Sequence, residues 1–337
     1  MTHVVRRALA PILLALILLA GLASCGEEGG ANAGGADWSE STDPVEHRGL
    51  SFADGRTIHL GDGSTIDAGQ WVGAYVVAGD GIYFTLAPGD DYDEDRDRRL
   101  RLATADGIEV IDVLPDPMSL TVSPDGQHLA FIDHNGERDT FGTPQAEAVV
   151  VDLGTGEEVV RSNSDMGDPA EDDFADLYGE LEPEIHGFVD DRVYVRTVKD
   201  TTAFDLDTGK ATQVTTGDSV TDQDWFQELT IDGSKSPSGT WSITSRDNAV
   251  PQLIGPAGKV VATDLQIQDF EVRWHLDSWV DDSTPVGTAE VTDPVTTEVV
   301  TVLITCAVPS GTCTARTEPD GGLAPPNGDP TVRQPIG

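Results

Sequence analysis

The sequence predicts an all-β fold, a β-propeller of about six four-stranded blades, with five or seven blades also compatible. Three observations predict it. A tight turn closing on glycine recurs at Gly63, Gly107, Gly156, Gly209, Gly258 and Gly311, in steps of 44 to 53 residues. Short runs of β-branched and aromatic residues flank each turn. A second set of turns, such as Ser123-Pro124-Asp125-Gly126, falls roughly midway between members of the first. A period near 50 with four strands in each period reads as one blade per period.

The elements follow in chain order. Arg6 and Arg7 precede an apolar run over residues 8–22, which is 15 residues long. That is short for a membrane span and the length of a signal-peptide core. Residues 26–37 are rich in Gly, Ala and Glu and have no period, which predicts a flexible tether about 20 Å long on average. Residues 50–68 supply two or three strands. Five full units then run from Trp71 to Thr317.

The inner turns lead into Ile82-Tyr83-Phe84, Leu129-Ala130-Phe131, Val193-Tyr194-Val195 and Trp241-Ser242-Ile243. The fourth strands are expected near residues 108–113, 157–161, 210–215 and 259–265. The tail, 318–337, is rich in Pro and Gly, and a short strand at 331–336 would close the ring on the first blade. Closure would remove the long exposed edge of an open ring. The resulting division is signal peptide 1–24, Cys25 and tether 25–44, propeller 45–317 and tail 318–337.

One helix is expected, near residues 168–181. Asp168-Pro169-Ala170-Glu171 has an N-cap residue, a proline at the first position and an acid at the third. Phe174, Leu177, Tyr178 and Leu181 then form one apolar stripe. The helix packs on the propeller face, and as an insertion between blades it is also a candidate lid or docking element.

Charge narrows the partners. The chain has 20 basic and 60 acidic residues, and loss of Arg6 and Arg7 leaves 18 − 60 = −42. Such a surface repels nucleic acid and anionic lipid headgroups, so no nucleic-acid partner is expected. Membrane attachment then has to come from acyl chains. Arginine outnumbers lysine 16 to 4, a bias that points to a GC-rich genome and fits an actinobacterial source.

Several groups are candidate sites. Cys306 and Cys313 flank a Pro-Ser-Gly turn, so a hairpin would bring them within disulfide reach. A metal site on this pair lacks further ligands at a sensible spacing. Asp91, Asp93 and Asp95 alternate in a loop and make a calcium candidate. Counted from Asp91, however, the sixth position is Arg96 and the twelfth Leu102, which breaks the EF-hand pattern, and a solvated acidic loop is the plainer reading. Trp274 and Trp279 are candidates for a glycan- or peptide-binding surface, against the alternative of core packing. There is no nucleophile elbow, no phosphate-binding glycine loop and no sialidase-type aspartate box. Apart from calcium, no cofactor is expected.

Two resemblances add to this. Leu22-Ala23-Ser24-Cys25 resembles the lipobox of bacterial lipoproteins, which implies lipidation of Cys25, cleavage before it, and anchoring on the outer face of the cell membrane. Ser123-Pro124-Asp125-Gly126-Gln127-His128-Leu129-Ala130-Phe131 resembles the repeat of TolB-like, WD40-like propellers. The Asp-x-x-Thr-Gly turns at Asp152 and Asp205 resemble those of the same propellers and of quinoprotein-type ones. The tryptophan expected after Thr-Gly in the quinoprotein type is missing, so no quinone is implied. The expected function is binding or scaffolding at the cell envelope, with an envelope protein or a glycan as partner. The alternative is a glycan-active hydrolase with carboxylates converging on the central channel.

Overall fold

Six small sheets succeed one another along the chain in the computed structural model. It describes residues 36, 38–40, 50–79, 81–87, 98–104, 106–123, 125–214, 235–236, 238–244, 250–265, 267, 271–292, 295, 297, 299–316 and 323–324. Blade one holds β1 (Phe52–Asp54), β2 (Thr57–His59) and β3 (Thr65–Asp67). Blade two holds β4 (Val72–Ala78), β5 (Gly81–Leu86), β6 (Arg101–Thr104) and β7 (Gly107–Val110). Blade three holds β8 (Thr121–Val122), β9 (His128–Asp133), β10 (Glu147–Asp152) and β11 (Glu157–Ser162). Blade four holds β12 (Glu184–Val189), β13 (Arg192–Arg196), β14 (Thr201–Asp205) and β15 (Ala211–Val214). Blade five shows β16 (Ser242–Thr244), β17 (Gln252–Gly255) and β18 (Lys259–Ala262), with Lys235 bridging Ser242 where an inner strand would pair. Blade six holds β20 (Glu271–Asp281), β21 (Thr284–Thr292), β22 (Val299–Ala307) and β23 (Thr312–Ala315). The short β19 (Asp264–Leu265) runs parallel to β23 at its edge.

The ring closes on itself. Strand β24 (Leu323–Ala324) pairs antiparallel with β1 and completes blade one as its innermost strand, in contact with β4 and β22. The closing strand thus stands earlier in the tail than the sequence expectation, whose residues 331–336 lie outside the described residues.

The core lies between blades. Along β9, Leu129 and Phe131 pack toward blade two, while Ala130 and Ile132 pack toward blade four. Strand β10 repeats the division, with Val149 and Val151 on one side and Ala148 and Val150 on the other. Successive side chains point to opposite faces of a strand, and here both faces are covered. This is why these strands read as unbroken apolar runs. Burying Phe131 alone is worth about 2–3 kcal/mol.

Neighbouring strands alternate in direction, which gives the propeller two unlike ends. The first-to-second and third-to-fourth turns of each blade fall at one end, the turn end. There Gly79 N donates to Gly126 O (2.9 Å), and Ser238 N donates to Asp282 Oδ1 (2.7 Å). The second-to-third loops and the blade-to-blade connections fall at the other, the loop end.

The compact unit begins at Ala36, and Trp38 is packed into it against the core between blades two and three. Of the stretch 25–44 expected as a free tether, Ala36 and residues 38–40 are therefore docked, and the rest lies outside the described residues. The helix also differs in detail. Helix α1 (Phe174–Glu180) is capped by Asp173, whose side chain accepts from Ala175 N and Asp176 N. Asp168 instead closes the turn before it, accepting from Ala170 N at its Oδ1 (2.9 Å). Two caps in succession divide the segment, because the extended backbone at Asp173 interrupts the first turn.

Candidate binding face at the loop end

The segment between β11 and β12 is an insertion built on the loop end of blade three. Its anchor is Asp139, in the β9–β10 loop. That carboxylate accepts from Phe141 N (2.8 Å), Thr143 N (2.9 Å) and, through Oδ2, Phe174 N (2.8 Å) at the start of α1. Burial would raise the Asp139 carboxyl, but the backbone donors, Phe174 and Thr143 foremost, hold it below the usual carboxylate range. One side chain thus organises its own loop and pins the helix N-terminus to it.

Tyr178 makes the second anchor. Its hydroxyl donates to Met166 O (2.7 Å) and accepts from Ala146 N (2.9 Å). Its ring stacks on Phe174, with centroids 5.3 Å apart, and meets His134 edge-on at 6.4 Å. Burial pushes the Tyr178 phenol up to about 12. Behind it, Asn163 Nδ2 donates to Gln145 Oε1 (2.9 Å), and Gln145 Nε2 donates to Gly167 O (2.8 Å). The insertion is thereby fixed to blade three by polar contacts satisfied on both sides.

Beside the insertion lies a cleft of about 650 Å³. Glu137, Asp165, Asp168, Glu171 and Asp172 line it, with Lys199 as the cation. Lys199 Nζ pairs with Asp165 Oδ1 at 2.9 Å, tying the β13–β14 loop to the insertion. Asp172 Oδ2 accepts from Asp168 N (2.7 Å). Five carboxylates against one ammonium leave a strongly negative cleft. The chain around it has no relief, since residues 162–191 hold eleven acids and neither lysine nor arginine.

The same end gathers exposed apolar side chains. Ten large hydrophobic residues are exposed among the described residues. Seven of the ten stand at the loop end, including Trp71, Met118, Phe141, Leu181 and Val250. The other three, Ile108, Val110 and Val260, lie on the outer strands β7 and β18. Phe141 is 73% exposed and Met118 68%. Exposed apolar groups scattered singly need no explanation, but seven of ten at one end of a ring do.

The sequence candidates fall elsewhere. Cys25 and Asp91, Asp93 and Asp95 lie outside the described residues. Among the described residues, no three His, Cys, Asp or Glu side chains converge as a metal site. Cys306 and Cys313 are cross-strand partners on β22 and β23 and form a disulfide, with Cα atoms 3.9 Å apart. Trp274 and Trp279 share β20 but pack, half-buried, on the core between blades five and six. Simple alternation would put them on opposite faces. A bulge between Leu276 and Ser278 shifts the phase, so both join Val272 and Leu276 on the packed face. They do not stand out as an exposed platform. Asp139, Lys199 and Phe141 were missed by the sequence reading. The Asp139-x-Phe141 spacing of an Asx-type turn was the available signal.

No protein-family model matches the chain, and no curated protein matches it. Solved structures similar to it include the tricorn protease, at 12% identity and a TM-score of 0.21, covering 83% of this chain and 30% of that one. A puromycin-hydrolysing peptidase of Mycobacterium tuberculosis matches at 13% identity and a TM-score of 0.28, covering 81% and 46%. The GH74 enzyme of Niastella koreensis matches at 11% identity and a TM-score of 0.31, covering 75% and 38%. The chain spans less than half the length of each of these three. Similarity at this level transfers no activity.

Proposed function

We propose that this chain is an extracytoplasmic lipoprotein, anchored through Cys25, whose propeller binds protein partners at the cell envelope through its loop end. The observation that carries the binding reading is the collection of exposed apolar side chains at that end, beside an acidic cleft. Interfaces combine an apolar core with a charged rim, and the sign of the charge selects the partner. A face with these properties suits a basic protein surface bearing apolar side chains. The Leu22-Ala23-Ser24-Cys25 segment supports the anchor, and the Cys306–Cys313 bridge fits an oxidising compartment.

Two experiments test this. Replacing Cys25 by serine should release the protein from the membrane fraction, and full retention would remove the lipobox reading. Phe141→Asp with Leu181→Asp should abolish cross-linking to envelope proteins while leaving the melting temperature within about 1 kcal/mol equivalent of the parent, as expected at exposed sites. Unchanged cross-linking would sink the loop-end reading. Turnover of a glycan substrate, lost on replacing carboxylates of the propeller, would favour the hydrolase alternative.

A further inference from the structure

The N-terminal residues just after the tether are built into the propeller. The Trp38 ring lies between Tyr83 of blade two (centroids 6.4 Å) and Phe131 of blade three (6.0 Å). Its indole Nε1 donates to Glu158 Oε1 at 3.0 Å, and the same carboxylate accepts from Ala36 N. Glu158 is itself gripped by Arg161, whose Nε and Nη2 donate to it at 2.7 and 3.1 Å. Ser39 Oγ donates to Glu109 Oε2 on β7 at 3.1 Å. The Trp38 carbonyl oxygen lies 2.8 Å from where a Cβ on Gly156 would stand.

Comparison among the seams shows what this segment replaces. Between blades three and four, the third-to-fourth turn presents Gly209 directly to Val159 O of the preceding outer strand. Between blades five and six, Gly311 meets Ala262 O in the same way. Between blades two and three, Gly156 meets Trp38 O instead, and the outer strand β7 stands exposed along its length. Ala36 and residues 38–40 occupy the place that the preceding outer strand fills elsewhere.

We infer that Ala36 and residues 38–40 form a strap that stands in for an outer strand and completes the seam between blades two and three. Its contacts reach Gly156 and Glu158 of blade three and Glu109 of blade two, so that one short segment ahead of β1 clasps two blades that follow it in the chain.

In the test, the whole protein with Cys25→Ser carries spin labels at Ser39→Cys and at either Thr155→Cys (turn end) or Thr140→Cys (loop end). The 39–155 distance should be shorter than the 39–140 distance by about 15–20 Å, the length of a six-residue strand. Equal distances, or a broad distribution, would overturn the strap. Adding Trp38→Ala should broaden both distributions, whereas Trp38→Phe should preserve them.

Discussion

Trp38 and Glu158 stand 120 residues apart and are joined by a 3.0 Å hydrogen bond from the indole to a carboxylate. Glu158 is held in turn by Arg161, which also pairs with Asp133 (2.9 Å) and Glu147 (2.6 Å). One guanidinium thus serves three carboxylates, and the strap adds a neutral donor to one of them. Removing one member of such a partly buried group costs more than the group contributes as a whole, because the remaining charges lose their partner.

Trp38→Ala should destabilise the propeller by about 2–4 kcal/mol, below the upper range for a fully enclosed tryptophan because the ring is only partly buried. Trp38→Phe, which keeps most of the packing and loses the donor, should cost about 1 kcal/mol. Urea unfolding at neutral pH measures both. A Trp38→Ala protein as stable as the parent would contradict the docked strap.

Gly156 takes φ of +67° with the Trp38 carbonyl against it. Gly156→Ala should therefore combine backbone strain with a displaced strap, at a cost of about 1–3 kcal/mol. In the Trp38→Ala background the steric part should shrink, leaving about 1 kcal/mol of strain. A double-mutant cycle on these two positions reads the difference. Strict additivity would mean that the two residues do not meet.

Acid should unfold the protein through its depressed carboxyls. Burial works to raise the Glu158 carboxyl, but Arg161 and Trp38 hold it below the ordinary range. Hydrogen bonds from Ser123 and Gln127 do the same for Asp125 against its burial, and those from Ser283 for Asp281. A folded-state pKa below the unfolded one contributes stability above the unfolded pKa, about 4, and loses it as pH falls through the folded value. Unfolding free energy should therefore hold from pH 7 to about 5 and fall steeply below about 4. Glu158→Gln should make that fall shallower, as denaturant titrations at several pH values would show.

Tyr178→Phe removes the acceptor of Ala146 N and the donor to Met166 O. Leaving those backbone groups unpaired should cost about 1–3 kcal/mol. The loss should be local, appearing as faster amide exchange in α1 and the β9–β10 loop with the other blades protected. Uniform acceleration over the whole propeller would refute the view of the insertion as a separately pinned element.

Reduction of the Cys306–Cys313 bridge should lower stability by about 2–3 kcal/mol, the loop-closure value for eight residues. Melting with and without reductant measures it. No shift would mean that the cross-strand pairing of β22 and β23 holds the hairpin without the covalent link.

Much of the architecture was legible in the chain. The glycine turns, the blade period and the paired cysteines are local patterns, and each depends on residues a few positions apart. The helix was legible as a stripe from Phe174 to Leu181, but its start was not, because Asp168 and Asp173 both have capping chemistry and only the backbone at Asp173 separates them. Trp38 gave no period to read, standing alone in a polar stretch rich in Gly, Ala and acids.

The sequence by itself determined that the chain would form blades, about how many, and where their tight turns would lie. Positive φ at glycine and two-residue alternation are encoded position by position. The tertiary structure alone decided that Trp38 closes a seam, that Trp274 and Trp279 face the core, and that Phe141 and Leu181 share one end with the acidic cleft. Those outcomes depend on a bulge in β20, on alternating strand direction, and on contacts between residues far apart in the chain. No local pattern carries that information, because each is set by how separate blades meet.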